Sequence, residues 1–351
     1  LELIRDKGRA GFYEGRTADL ITAEMQRGGG LITKADLANY NSVWRKPITG
    51  VANGYNIISM PPPSSGGIAL VQLLTIMEDY PVSDWRRRSM RATHVRIEAE
   101  KRVYADRAKH LGDPDFHKVP LAGLLDKSYI KRRMKDFSKH KTTRSKKISA
   151  GTPPVKESPN TTHFSIVDAQ GNAVSVTTTL NSSFGSKVFV AGAGFLLNNQ
   201  MDDFSLKAGA PNLYGLIGDS ANAIEPGKRM LSSMTPTILE KDGKLFMVIG
   251  AMGGSTIITT VFQIIQNVTV HGLPMQGAVK ARRYHHQWKP DVVLAERGAL
   301  GFGTSLRLWM KGHRIVPRAK GIGRAAGILV LPDGKLEGGA DPRGDDKAVG
   351  F

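Results

Sequence analysis

From Leu245 to Val279 the chain carries no Asp, Glu, Lys or Arg, and a stretch that long without charge belongs either in a protein interior or in a bilayer. Gly253, Gly254, Ser255, Gln263, Gln266, Asn267 and His271 interrupt its apolar residues. Those are too many polar groups for a single span through hydrocarbon. The run therefore reads as a buried strand near Leu245 to Ile249, a glycine turn, and a core helix from about Ile257 to Val270. Hiding it requires a sizeable core, and 351 residues, 40% of them hydrophobic, suffice for one large or two ordinary domains.

Periodicity and punctuation place the other elements. Helical spacing covers Leu1 to Gln26 with a break near Gly11, Ile68 to Tyr80 after the rigid Pro61–Gly67 segment, and Thr93 to His110, where Glu98, Arg102 and Asp106 stand at i, i+4 intervals. Beyond Asn160 the period changes to two. Thr162 to Val167 and Ala173 to Leu180 read as strands joined by a turn at Asp168–Asn172, with further strands at Gly194 to Leu197 and Thr235 to Leu239. Helices first and mostly strands after define an α+β chain or a sheet sandwiched by helices. The chain opens at Leu1 without a signal pattern, as a fragment or a processed product would.

The formal charge of +18 is uneven: residues 1–80 balance, residues 81–160 hold +12 and residues 161–351 hold +6. The densest run, Lys131 to Ile148, contains nine basic residues and one acid. It suits phosphate backbones or an anionic surface. With Phe137 as its only aromatic, no specific nucleic-acid partner is expected, and the run reads as a solvated helix end leading into a mobile linker. Cysteine is absent, which excludes disulfides, zinc-thiolate sites and thiol nucleophiles. His285-His286 lacks metal-ligand spacing and reads as a structural pair, and Asp341-Pro342-Arg343 reads as a terminal turn or an ion pair. Three Asn-x-Ser/Thr triplets, beginning at Asn160, Asn181 and Asn267, read as chance.

The chemistry gathers at Glu157-Ser158-Pro159-Asn160-Thr161-Thr162-His163. A Thr opening a strand after a Pro-rich loop can attack the preceding carbonyl, convert the peptide bond to an ester and yield to water. The freed α-amine, with a reference pKa of about 7.7–8.0, can then serve as base for the Thr161 hydroxyl. On residues alone Thr161 also passes for an ordinary strand threonine.

Nine collinear stretches decide between these readings. They are Gly29–Thr33, Met60–Gly67, Tyr104–Arg107, Thr161–Ser165, Leu197–Phe204, Leu231–Met234, Gly253–Ser255, His285–Trp288 and Asp341–Arg343. Together they resemble the gamma-glutamyltransferase (gamma-glutamyl transpeptidase) family of the N-terminal nucleophile hydrolase superfamily. The resemblance implies an αββα sandwich and autocatalytic cleavage between Asn160 and Thr161. Residues 1–160 would then be the C-terminal part of a large subunit and 161–351 the small subunit, the two forming one intertwined domain. It makes Thr161 the nucleophile, Thr179 its hydrogen-bond partner, and Gly253 and Gly254 the oxyanion hole. Asn181, Gln200 and Asp203 would hold the substrate α-amino group, Ser232 and Ser233 its α-carboxylate, and Tyr214 the lid.

The implied reaction is gamma-glutamyl transfer and hydrolysis on glutathione and related amides, with water, an amino acid or a peptide as acceptor. No metal or organic cofactor is implied, and the implied location is periplasmic or extracellular. A related acylase, a poly-gamma-glutamate depolymerase and an inactive anion-binding homologue are the alternatives. Family members are longer at the N-terminus, where they supply an arginine for the α-carboxylate, so the resemblance implies either a fragment of a longer polypeptide or a shortened relative.

Overall fold

The structure, a computed structural model, describes residues 1–153 and 165–350. The Asn160–Thr161 junction, Thr162 and His163 lie outside the described residues. Helices are α1 (Glu2–Lys7), α2 (Ala10–Tyr13), α3 (Gly15–Gly28), α4 (Lys34–Asn39), α5 (Gly66–Glu78), α6 (Met90–His110), α7 (Leu121–Leu124), α8 (Lys127–Arg132), α9 (Ile257–Thr269), α10 (Met275–Lys280) and α11 (Phe302–Met310). Strands are β1 (Ile48–Ala52), β2 (Tyr55–Ser59), β3 (Ser165–Val167), β4 (Ala173–Ser175), β5 (Phe189–Val190), β6 (Phe195–Leu196), β7 (Thr237–Lys241), β8 (Lys244–Met252), β9 (Tyr284–His285), β10 (Val293–Glu296), β11 (Ile315–Arg318), β12 (Arg324–Val330) and β13 (Leu336–Ala340).

Two compact units result. The larger, Arg45–Thr178 with Met201–Phe351, is built on an antiparallel sheet of order β1-β2-β7-β8-β12-β13. Its strands come from both sides of the Asn160–Thr161 junction. Helices α5, α9 and α10 pack on the sheet, α6 packs on α5, and the β3–β4 ribbon lies against β8 and β12. Helix, sheet and second sheet are thus successive layers of an α+β sandwich. Along β12, Ala325, Gly327 and Leu329 are buried while Ala326, Ile328 and Val330 are half-buried, the period-two signature of a sheet with unequal faces. The smaller unit, Leu1–Trp44 with Thr179–Gln200, has its own core of Ala18, Ile21, Leu37 and Val190.

The charge-free run folds as expected into β8, a glycine turn and α9. Every residue of α9 from Ile257 to Val268 is buried, so a charge anywhere around it would be desolvated. Several of its polar side chains are engaged: Thr259 Oγ1 lies 2.8 Å from His285 Nδ1, Gln263 Nε2 donates to Tyr284 O (2.7 Å), and Gln266 Oε1 accepts from Arg96 Nε (2.6 Å). Among the described residues no helix is long and apolar enough to cross a membrane. The N-terminal helical region breaks into three short helices, and the strand expected over Ala173 to Leu180 ends at Ser175. The β1–β2 hairpin went unread although Asn53-Gly54, both at positive φ, supplies its turn.

Helix α6 carries the i, i+4 charges noted in the sequence. Glu98 does bond Arg102 (2.9 Å), but Asp106 turns away to Arg133 (3.0 Å) and Tyr129 (2.9 Å), and all three are buried in the core. The basic run is also not a free linker. Thr142 and Thr143 bond Glu98, Arg102 reaches Asp136, Arg133 reaches Asp106, and Trp288 Nε1 donates to the carbonyls of Ser145 and Ile148. Burial raises the Glu98 pKa, but Lys101 and Arg102 outweigh it and hold the carboxyl at about 2. Glu98→Ala should therefore cost about 3–5 kcal/mol in urea unfolding, because two buried cations lose their partner. In the parent protein this contribution is complete above the ordinary value of 4.5 and lost as pH falls towards about 2. A pH series of unfolding midpoints on both proteins checks the size and the sign.

Candidate active site

The Pro-rich segment entering α5 shapes one wall. Ser65 Oγ and N both bond Ser232 O (2.7 and 3.0 Å), Ser64 Oγ donates to Met234 O (2.7 Å), and Ser232 N donates to Pro63 O (2.8 Å). A β-carbon on Gly66 would come within 1.9 Å of Met234 O, so only glycine permits this approach. The Ser232-Ser233 segment is thereby clamped along its backbone while its side chains stay available. Arg107, buried on α6, donates to Ser65 Oγ (2.9 Å) and Ser233 Oγ (3.2 Å). Ser232 Oγ is buried without a hydrogen-bond partner among the described residues, an arrangement that asks for a ligand.

Asp203 faces the same arginine. Burial pushes its carboxyl up to about 7; Arg107 pulls it down and Asp202 pushes it further up. Its Oδ1 accepts from Asn212 Nδ2 (3.4 Å), and Asp202 Oδ2 accepts from Leu213 N (2.9 Å). Asn212 Oδ1 in turn accepts from Tyr214 N (3.1 Å) and Leu216 N (3.0 Å), an Asx-type turn that presents Tyr214. The Tyr214 ring lies against Gly254, where a β-carbon would meet it at 2.5 Å. Gln287 Nε2 holds Tyr214 O (3.0 Å).

Gly253 and Gly254 adopt φ of 138° and 57°, left-handed backbone that favours glycine. Thr256 Oγ1 and N fasten Gly253 O (2.8 and 3.2 Å), and Tyr104 OH supports the turn at Ser255 O (2.5 Å). The turn ends β8 and leads into α9, so its amides are fixed by a sheet on one side and a helix on the other.

The larger unit thus assembles Asp203, Tyr214, Ser232, Ser233, Gly253 and Gly254. Thr179, Asn181 and Gln200 belong to the smaller unit. There Asn181 N donates to Thr179 Oγ1 (2.8 Å), Asn181 Nδ2 donates to Asn199 O (3.2 Å), and Gln200 N donates to Asn198 Oδ1 (2.9 Å). Asn181 has φ of 74°, which Asn accepts more readily than most residues. Thr161 lies outside the described residues.

Sequence reasoning gave no role to Arg107, Tyr104, Ser65 or Asn212, although the first three lie in the stretches that carry the resemblance. Tyr104 and Arg107 stand at i and i+3 on one helix, a spacing that puts both on one face and was available from sequence. His285 and His286 are structural, as read: His285 lies between Thr259 and Gln287, and His286 bonds Asp291 (3.3 Å) and Glu100 (2.9 Å). Asp341 is an ion-pair centre for Arg283 (2.7 Å) and Arg343 (2.9 Å). Metal-type donors of His94, Glu98 and His313 converge within 4.8 Å. They already satisfy one another or nearby cations, His94 Nδ1 lying 2.7 Å from His313 Nε2 and Glu98 holding Lys101 and Arg102.

This architecture is that of the N-terminal nucleophile hydrolases. A cephalosporin acylase from Bacillus halodurans superposes with a TM-score of 0.85 at 28% identity, over 99% of this chain and 60% of that one. A Helicobacter pylori gamma-glutamyltranspeptidase mutant matches with a TM-score of 0.51 at 50% identity, over 52% of this chain and 100% of that one. The family profile described as gamma-glutamyltranspeptidase matches residues 1–351, and the chain belongs to that family. A glutathione hydrolase proenzyme of Escherichia coli (strain K12) is 48% identical over 352 aligned residues, which is 100% of this chain and 60% of that protein. The chain thus spans about 60% of the length of such relatives.

Arg107 lowers the Asp203 pKa through its charge, so Arg107→Met should move the Asp203 midpoint above its present value of about 7, whereas Arg107→Lys should largely keep it. Carboxyl NMR titration, with Asp203→Asn to assign the resonance, reads the difference.

Proposed function

We propose that this chain supports gamma-glutamyl transfer and hydrolysis on glutathione and related gamma-glutamyl amides, after cleavage between Asn160 and Thr161. The observation that carries the reading is the pairing, in one unit, of a carboxyl with the arginine-backed Ser233 and the unpartnered Ser232 hydroxyl, beside a two-glycine turn. Asp203 suits an ammonium and Ser232 and Ser233 suit a carboxylate, and Arg107 links the two by bonding Ser233 and acting on the Asp203 charge, as a free amino-acid head would require. The family match from end to end supports it independently.

In this mechanism the Thr161 hydroxyl attacks the Asn160 carbonyl, the resulting ester is hydrolysed, and Thr161 becomes a chain start. In turnover the Thr161 α-amine accepts the proton of its own hydroxyl as Oγ attacks the γ-carbonyl. The amides of Gly253 and Gly254 stabilise the oxyanion, and the α-ammonium returns the proton to the leaving amine. Water, an amino acid or a peptide then takes the glutamyl group. Thr179, Asn181 and Gln200 have the roles given by the family resemblance, and Tyr214 covers the glycine turn as a lid. The location belonging to this reading is periplasmic or extracellular. An acylase acting on substrates without an α-amine is the second reading, favoured by the likeness to the cephalosporin acylase.

Thr161→Ala should leave a single band on a denaturing gel where the parent gives two, the smaller beginning at Thr161 by N-terminal sequencing; an unchanged two-band pattern would overturn the proposed cut. Asp203→Asn should lower kcat/KM for an L-gamma-glutamyl anilide by about 10- to 150-fold, the worth of a charge-assisted bond of about 1.5–3 kcal/mol. It should spare an acyl anilide that lacks the amine. With the carboxyl at about 7, kcat/KM for the glutamyl substrate should fall as pH drops through that value, since the protonated form loses the ammonium. The amine-free substrate should keep only the limb set by the Thr161 α-amine, so the ratio of the two kcat/KM values should fall as pH drops through about 7, and a pH-independent ratio would favour the acylase.

A further inference from the structure

Helix α11 is apolar on the wrong side. Leu308, fully buried, and Thr304, whose Oγ1 donates to Arg88 O (3.1 Å), attach it to the larger unit. At 100° per residue the opposite arc holds Phe302, Leu306, Trp309 and Met310, spanning about 100°. These are 87%, 45%, 67% and 71% exposed. A solvated helix presents polar residues on that arc, so the stripe is a contact surface without an occupant among the described residues.

Three segments that lack acidic residues surround it. Arg297 to Arg324 contains seven Lys and Arg and neither Asp nor Glu, Phe137 to Lys147 contains five and neither, and Trp85 to Ile97 contains five and neither. Tertiary contacts bring them together: Arg88 Nε donates to Ala299 O (2.8 Å) just before α11, Thr142 N donates to Lys311 O (2.8 Å) just after it, and Lys311 Nζ reaches Lys139 O. Arg88, Lys139, Lys141, Arg307 and Arg314 are exposed around the stripe. The middle of the basic run noted in the sequence thus packs at the end of an apolar helix rather than in a linker.

We propose that α11 and its basic rim form a docking surface for an anionic lipid bilayer. Trp, Phe, Leu and Met would enter the headgroup–acyl boundary while Lys and Arg meet lipid phosphates, the combination that places short amphipathic helices on membranes. Charge complementarity favours this occupant. A two-fold dimer through the stripe would set the same cationic rim against itself, and half of the stripe, Leu306 and Met310, gives nucleic acid neither stacking nor hydrogen bonds. The surface is remote from the candidate active site. It sits at the Met90 end of α6, whereas Arg107 is near the other end, about 25 Å along the helix.

The test is flotation of the purified protein with vesicles of phosphatidylcholine alone or with one-third phosphatidylglycerol, in low and high salt. At low salt, binding to the anionic vesicles should exceed that to neutral ones by roughly tenfold or more and fall steeply with salt. Phe302→Ser combined with Leu306→Ser and Trp309→Ser should abolish it, with the urea midpoint and anilide turnover retained. A lipid-induced blue shift of tryptophan emission should vanish in Trp309→Phe. Lys139→Glu with Lys141→Glu and Lys311→Glu should remove the anionic preference. Equal partition onto both vesicles, or full binding by the triple serine variant, would overturn the proposal. So would a concentration-dependent dimer, or capture of an RNA oligonucleotide, that the serine changes abolish while vesicle binding is nil.

Discussion

A helix that is buried along most of its length and yet carries seven buried charged side chains sets the terms for the larger unit. Arg96, Glu98, Glu100, Lys101, Arg102, Asp106 and Arg107 of α6 are all nearly inaccessible. An unpaired charge there would be prohibitively costly, so each needs a partner from elsewhere in the chain. Arg96 takes Gln266 on α9, Lys101 takes Thr142 and Asp291, Arg102 takes Asp136, and Asp106 takes Arg133 and the Gly151 amide. Glu100 accepts the His286 amide, and burial raises its carboxyl well above the ordinary carboxylate range. Segments from both sides of the Asn160–Thr161 junction are fixed to one rod by these bonds.

The same rod organises the candidate site. Tyr104 supports the glycine turn from below, and Arg107, one turn further on, aligns Ser65 and Ser233 and faces Asp203. Position and electrostatics are therefore coupled: the arginine that orders the serines also limits how far burial can neutralise the carboxyl. The glycine turn is held independently by β8 and α9, whose charge-free stretches Met247–Ala251 and Ile257–Val268 are buried. A change deep in α6 would act on the site through geometry and through charge together.

Net charge conceals a division of labour. Within the basic middle of the chain, Lys101, Arg102, Arg107 and Arg133 point inward and are hydrogen-bonded to carboxylates or hydroxyls. Lys139, Lys141 and Arg144 remain at the surface. Composition counts both sets alike. The first set stabilises the interior by hydrogen bonding, whereas the second contributes a field outside the molecule.

The charge-free run determined by itself that β8, the glycine turn and α9 would be internal, because no charge had to be accommodated there. Period-two spacing likewise revealed β7 and the start of the β3–β4 ribbon, and local motifs carried Gly253, Gly254, Asp203, Ser232 and Ser233. The i, i+4 spacing on α6 placed Glu98, Arg102 and Asp106 on one face, but only the first pair bonds, since Asp106 finds partners in Arg133 and Tyr129. Local spacing fixes which side chains share a helical face, but whether that face meets water or core depends on what packs over it. The role of Arg107, the clamp by Ser65 and the inversion of α11 were decided in tertiary structure for that reason: each depends on groups that are neighbours in space and far apart along the chain.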